Sequence, residues 1–415
     1  MISNKSPTAI TAGDILRLVE NRVAESRTLE YKQSLPGGSD DERREFLADV
    51  SALANTVGGD ILYGVVEDRD AEGKTTGIPE SAPGLPITGD VALRRLEEMI
   101  RDGIDPRVPT VLVQSIPGFA NGAVVLLRLG RSWQRPHMVT FKNYSRFFAR
   151  GASGKYQLDV QQIREAFVGA ASLRDRVDAF RIERLQAVRE NTTITPPLVE
   201  GGRIVLHVIP VAGFDAPESV DLDLATARPR PLFAGFGAGY HQINFDGVEG
   251  YELTRDGDRC LDYVQLFRNG TIEAVDAELL TRIAQDPVRK GAVPSLSFEG
   301  RLIDSLAGYL ADLRDWRVPP PYLVALSLLN VKALTLGMTF QMADRLGGPR
   351  PIDRNDLVVR EQLIQDIGQE LRLEAIRALK PSFDILWQSV GISKSPNFDD
   401  AGVWNAVGHD YAPAR

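Results

Sequence analysis

Cysteine is nearly absent. Cys260 is the single thiol in 415 residues, so the chain can form no internal disulfide and no cysteine-built zinc site. A lone thiol fits a reducing compartment, and a cytoplasmic protein is the expectation. Cys260 itself reads as a small buried hydrophobe rather than a nucleophile. Histidine is scarce too: His137, His207, His241 and His409 are scattered, without metal-ligand spacing. No Ser/His/Asp arrangement is visible. Long hydrophobic runs are missing. The most apolar stretch, residues 322–338, is broken by Asn330 and Lys332, so it reads as a buried core helix and not as a membrane span. The N-terminal MISNKSPTAITAGD has no basic region leading into an apolar run, so no signal peptide is expected. Repeats and low-complexity tracts are also lacking.

What is present is an ordinary globular composition, 43% hydrophobic and 25% charged, long enough for two or three domains with real cores. The net charge is -8, which excludes a general nucleic-acid coat. Affinity for a polyanion must then come from a local patch. Residues 131–155, RSWQRPHMVTFKNYSRFFARGASGK, supply one. The run holds Arg131, Arg135, Lys142, Arg146, Arg150 and Lys155 and no acid at all, with Trp133, Phe141, Tyr144, Phe147 and Phe148 interleaved. Cations for phosphates beside rings for bases suit single-stranded or looped RNA. The plainer reading has the rings in the core and the cations facing water. The acid-free run as a whole, in an acidic chain, favours polyanion binding.

The pattern along the chain predicts an α+β fold. Helices are expected at 12–22, capped by Thr11 with Asp14 three residues on, and at 41–56, where Phe46, Leu47, Val50, Leu53, Ala54 and Val57 recur at helical spacing until Gly58-Gly59. A third fits 90–102. Strands are expected at 28–33, 60–66, 108–116, 122–129, 137–141 and 145–150. A charged helix over 159–188 leads to a break at 190–202. Strand-like runs fill 203–275, and 295–390 reads as mainly helical, interrupted at Pro319-Pro320-Pro321. The expected division is a nucleic-acid-handling domain over 1–168, a helical connector over 169–197 and a C-terminal domain of unassigned role over 198–415. The segment from Asp399 and Asp400 past Trp404 reads as a mobile end.

Two constellations carry candidate chemistry. Residues 25–32, ESRTLEYK, place Glu25, Glu30 and Lys32 within eight positions. Strand parity puts Glu30 and Lys32 on one face and Glu25 on the other, so the two acids converge only if the chain bends near Ser26. A solvated, charged edge strand is the plainer alternative. Residues 54–60, ANTVGGD, followed by GVVED at 64–68, set Glu67 and Asp68 at the end of a strand. The EGKTT at 72–76 lacks the first glycine of a phosphate-binding loop, because Asp68 stands there; it reads as an exposed turn. The glycine-rich stretch 235–239 reads as a loop.

ESRTLEYK, the following amphipathic helix, ANTVGG and GVVED occur in an order that resembles the Schlafen AlbA-type (AlbA_2, divergent AAA-4) family. The resemblance covers residues 10–168. It implies a mixed sheet with helices and, by analogy with animal members, a metal-dependent nuclease acting on tRNA. Glu25, Glu30 and Asp68, with Glu67 as substitute, would then hold Mg²⁺ or Mn²⁺, and Lys32 would assist. Three carboxylates can hold such an ion, which activates water and stabilises a leaving oxygen. Animal members carry two lobes and a Cys/His zinc site. Here one lobe is recognisable and the zinc ligands cannot exist, so a homodimer or the C-terminal half would complete a groove. A non-catalytic nucleic-acid-binding regulator is the alternative reading. An ATP-binding module using Gly58-Gly59 is the second.

Overall fold

Two capping boxes set the first helices. Thr11 and Asp14 bond reciprocally at the start of α1 (Ala12–Glu20), and Ser39 and Glu42 do the same for α2 (Asp40–Ala54). The structure is a computed structural model; it describes residues 2, 10–86, 90–109, 111–130, 132, 134–151, 154–214, 220–222, 230–232, 239–287, 291–338, 343–345, 347–365, 367–399 and 402–404. The chain divides into two units, Met1–Asp175 and Arg176–Arg415.

The N-terminal unit is built on two four-stranded sheets. In the first, β1 (Leu29–Lys32) runs parallel to β2 (Gly59–Tyr63), which pairs with β7 (Gly122–Leu129), itself in a hairpin with β6 (Val111–Phe119). The alternation of side chains splits this sheet between two cores. Ile61, Tyr63, Val125 and Leu127 meet α2 and α3 (Val91–Gly103) on one face. Leu29, Tyr31, Leu62, Val124 and Leu126 meet α1 on the other. The second sheet runs β10 (Gly154–Gln157), β9 (Tyr144–Gly151), β8 (Met138–Phe141), β5 (Ile104–Asp105). A separate hairpin, β3 (Val66–Arg69) with β4 (Thr75–Ser81), follows Gly64. The expected strand over 60–66 is thus two short strands. The 72–76 stretch runs from the turn of the β3–β4 hairpin into the start of β4 and is exposed.

One long helix, α4 (Val160–Glu190), spans the boundary between the units. The C-terminal unit is centred on an eight-stranded sheet. Its order is β12 (Tyr240–Ile243), β13 (Gly247–Leu253), β14 (Cys260–Phe267), β15 (Ile272–Asp276), β11 (Arg203–Pro210), β17 (Tyr322–Leu329) and β19 (Leu357–Val358), with β20 (Gln362–Ile364) also on β17. The pairings are antiparallel throughout. Helices α5 (Glu278–Gln285), α6 (Ser295–Asp315) and α7 (Leu371–Ser389) pack on one face, and β16 (Ala292–Pro294) pairs with β18 (Thr335–Gly337).

The apolar stretch expected as a core helix is a strand. Residues 322–329 form β17, buried on both faces between β11 and the β19 and β20 edge. A short apolar run fits either element by periodicity, and here the chain enters it from Pro319-Pro320-Pro321, which suits an extended strand. The region 295–390 therefore mixes helices with strands. No helix among the described residues is long and apolar enough to cross a membrane. Residues 235–238, His409, Asp400 and the tail from 405 lie outside the described residues.

Candidate functional site

The bend that the acids require is present. Residues Arg27 and Thr28 turn, and Ser26 and Leu29 bridge across them, with Ser26 N donating to Leu29 O at 3.0 Å. Glu25 is folded back beside β1, where its Oε1 accepts the Tyr31 N–H at 2.8 Å. Glu30 and Lys32 leave β1 on the α2 side, opposite the buried Tyr31. Sequence parity and the bend were both legible.

Glu30 is not a free ligand. It is 5% exposed, and its two oxygens face cations: Lys32 Nζ lies 2.5 Å from Oε1, and the Arg150 guanidinium bonds Oε2. Arg150 is equally buried, and its other donors reach Ser26 O at 3.0 Å and Leu29 O at 3.4 Å. Lys32 continues to Asp49 of α2 at 3.5 Å, and Asp49 accepts from Lys155 Nζ at 2.7 Å. The result is a chain of alternating charges, Arg150–Glu30–Lys32–Asp49–Lys155, linking β9, β1, α2 and β10. Burial works to raise the Glu30 carboxyl, but Lys32 and Arg150 outweigh it and hold it below the usual range. Burial, then Glu30, raises Asp49. Burial disfavours the Lys32 ammonium, yet Asp49 and Glu30 keep it charged far above neutrality.

The other acids divide. Glu67 Oε2 accepts the Gly77 N–H at 3.1 Å, Glu25 N donates to Gly77 O at 2.7 Å, and a Cβ at Gly77 would lie 3.5 Å from Glu25 Oε2, so both carboxylates come close to Gly77 on β4. Burial raises the Glu25 carboxyl, and Glu30 and Glu67 add to that. Asp68 is engaged elsewhere: it is exposed and pairs with Arg22 at 2.6 Å, which lowers its carboxyl. The expected trio of Glu25, Glu30 and Asp68 is therefore corrected. Glu67, not Asp68, stands near enough to act on Glu25. Among the described residues no three acid, histidine or cysteine side chains are grouped to hold a metal ion.

The basic run also divides. Arg131 and Trp133 lie outside the described residues. Arg150 is buried and committed to Glu30, and half-buried Lys155 is committed to Asp49 and Glu45. As phosphate contacts both are corrected, because drawing either away strands a buried acid. Arg135 is half-buried and donates to Thr56 O at 3.2 Å. His137 is fully buried, its Nδ1 2.7 Å from Pro106 O, and burial lowers its basicity. What remains outward is the β8–β9 hairpin. The guanidiniums of Arg44 and Arg146 each lie 5.7 Å from the centroid of the Tyr144 ring. Lys142 lies over Phe141 at 5.6 Å and pairs with exposed Asp40. Arg44 was not part of the sequence reading. Only a contact between α2 and a strand about a hundred residues on reveals it.

The ANTVGG stretch proves to be a clamp. Asn55 Nδ2 donates to His137 O and Phe148 O, both at 2.9 Å, and its Oδ1 accepts His137 N at 2.6 Å. Thr56 Oγ1 accepts Arg150 N at 2.9 Å. Together they fasten the end of α2 to the second sheet and so set Arg150 against Glu30. At Gly59, φ is +150°, and a Cβ would lie 2.5 Å from Thr28 O. The glycine lets two backbones meet there.

Residues 25–159 match the Schlafen, AlbA_2 family. No curated protein matches the chain. Among the solved structures similar to this chain, two cover about a third of it. One is a crystal structure of a Corynebacterium diphtheriae protein at 16% identity and TM-score 0.23, covering 35% of this chain and 27% of that one. The other is the solution structure of the N-terminal domain of a putative ATP-dependent DNA helicase RecG-related protein from Nitrosomonas europaea, at 18% identity and TM-score 0.25, covering 34% of this chain and 90% of that one. The chain thus spans about a quarter of the length of the first.

Proposed function

Residues 25–159 form a Schlafen AlbA_2 domain, and from that premise we propose that the N-terminal unit binds nucleic acid, RNA ahead of DNA, without cutting it. The observation that carries the reading is the gathering of Arg44 from α2 and Arg146 and Lys142 from the β8–β9 hairpin around Tyr144 and Phe141. Arg146 and Lys142 are exposed, and the Lys142–Asp40 pair is a surface ion pair of small worth, so a phosphate can replace the aspartate. Guanidiniums already drawn towards a ring add a cation–π attraction to the site, and a phosphate or base can be met by the same groups.

Cleavage of tRNA with Mg²⁺ or Mn²⁺ is the further activity that the family resemblance implies. The donor set as it stands does not fit the ion. Both oxygens of Glu30 are occupied by cations, and Asp68 is bound to Arg22. A divalent ion would have to displace Lys32 and Arg150 from a buried carboxylate. No step is therefore derived through a metal.

The test is titration of fluorescent single-stranded RNA and tRNA with the full chain, read by anisotropy. Arg146→Ala and Lys142→Ala are each expected to weaken binding similarly for all sequences and to lower the slope of log affinity on log salt by about one. Wild-type affinity that does not respond to salt, or variants that bind as wild type, overturns the reading.

A further inference from the structure

The C-terminal unit holds acids that nucleic-acid binding leaves unused. Asp262 on β14 and Asp276 on β15 are register partners across an antiparallel pair. Their side chains leave one face side by side, with Cβ atoms about 5 Å apart. That same face carries Val264, Leu266, Ile272 and Ala274 into the large core. The two aspartates are 5% and 3% exposed. Each accepts one backbone bond: Glu252 N to Asp262 Oδ1 at 3.1 Å, and Leu279 N to Asp276 Oδ1 at 3.0 Å. The second bond ties the first turn of α5 to the sheet.

The surroundings are mostly of the same sign. Glu252 from β13 and Glu278 from α5 act on Asp262, as does Asp276 itself. Cys260 on β14 and Tyr309 on α6 also feel Asp262, and Glu249 of β13 reaches Cys260. Asp312 of α6 reaches Tyr309. Asp276 faces Glu278, with partial relief from Arg301 on α6 and Arg282 on α5. Arg282 also pairs with Glu278 at 3.3 Å. Two ionised carboxylates so placed lose hydration and repel each other, and a proton on the pair relieves both effects.

We propose that Asp262 and Asp276 are a proton-gated clasp: while the pair holds a proton α5 stays seated on the core, and loss of that proton at alkaline pH loosens this corner of the C-terminal unit. Burial first, then Glu252 and Asp276, pushes the Asp262 carboxyl up to about 8. Burial, with Glu278, pushes that of Asp276 up to about 7. The unfolded chain releases these protons near pH ~4. The folded chain keeps them longer, so the contribution to stability is whole below pH ~4 and is lost as pH rises through 7 to 8.

Hydrogen exchange of the full chain at pH ~6 and ~9 tests this, each rate corrected for the intrinsic chemical rate. Peptides covering residues 261–285 are expected to lose protection at least about tenfold in wild type between the two conditions. In Asp262→Asn the change is expected to shrink to less than about threefold. Asp276→Asn makes the same comparison should the first variant not fold. Equal protection at both conditions in wild type, or an asparagine variant with the wild-type response, overturns the proposal.

Discussion

At the scale of the residue, Glu30 decides between chemistries. A carboxylate free to take a metal ion and one clamped between two cations look the same in a sequence, because the clamp's second half, Arg150, comes from a strand 120 residues later. Removing one partner of a buried pair leaves the other uncompensated. Glu30→Ala is therefore expected to destabilise the N-terminal unit by about 3–5 kcal/mol, measured by urea unfolding. A loss under about 1 kcal/mol would mean that Arg150 has another partner waiting. The local part of this site was readable in advance. Strand parity set Glu30 beside Lys32, and the need for a bend at Ser26 followed from it. The third acid was not readable, because Glu67 and Asp68 are adjacent and only the β3–β4 register shows which one turns towards Gly77.

Elements are where the Schlafen-like stretches do their work. ANTVGG ends α2, and its Asn55 and Thr56 bond to the second sheet, so the helix end also positions β9. Gly59 then lets β2 meet the Thr28 backbone. Gly59→Ala puts a methyl into that contact and is expected to cost about 1–3 kcal/mol, with the loss read as a lowered thermal midpoint. An unchanged midpoint would show that the β1–β2 seam yields without cost. The helices of the N-terminal unit were legible, because caps and apolar spacing agree at α1 and α2 and apolar spacing alone marks α3. Residues 322–329 were misread as helix for a physical reason. A central strand covered on both faces loses the alternation that marks half-buried strands, and only its partners β11 and β20 reveal it.

For the whole molecule, the acidic balance and the basic run are reconciled by pairing. With Lys155 and Arg150 spent on buried acids, the proposed polyanion surface is smaller than the acid-free run suggests, and it gains Arg44 from α2. On the proposed reading binding and cutting come apart: exposed cations at the hairpin would serve the first, and acids neutralised by Lys32, Arg150 and Arg22 would not serve the second. The most direct measurement is incubation of the full chain with tRNA in Mn²⁺, in Mg²⁺ and in EDTA, following both the bound fraction and the products. The expected result is binding that persists in EDTA and intact tRNA throughout. Products that need the divalent ion and vanish in Glu25→Ala would contradict it.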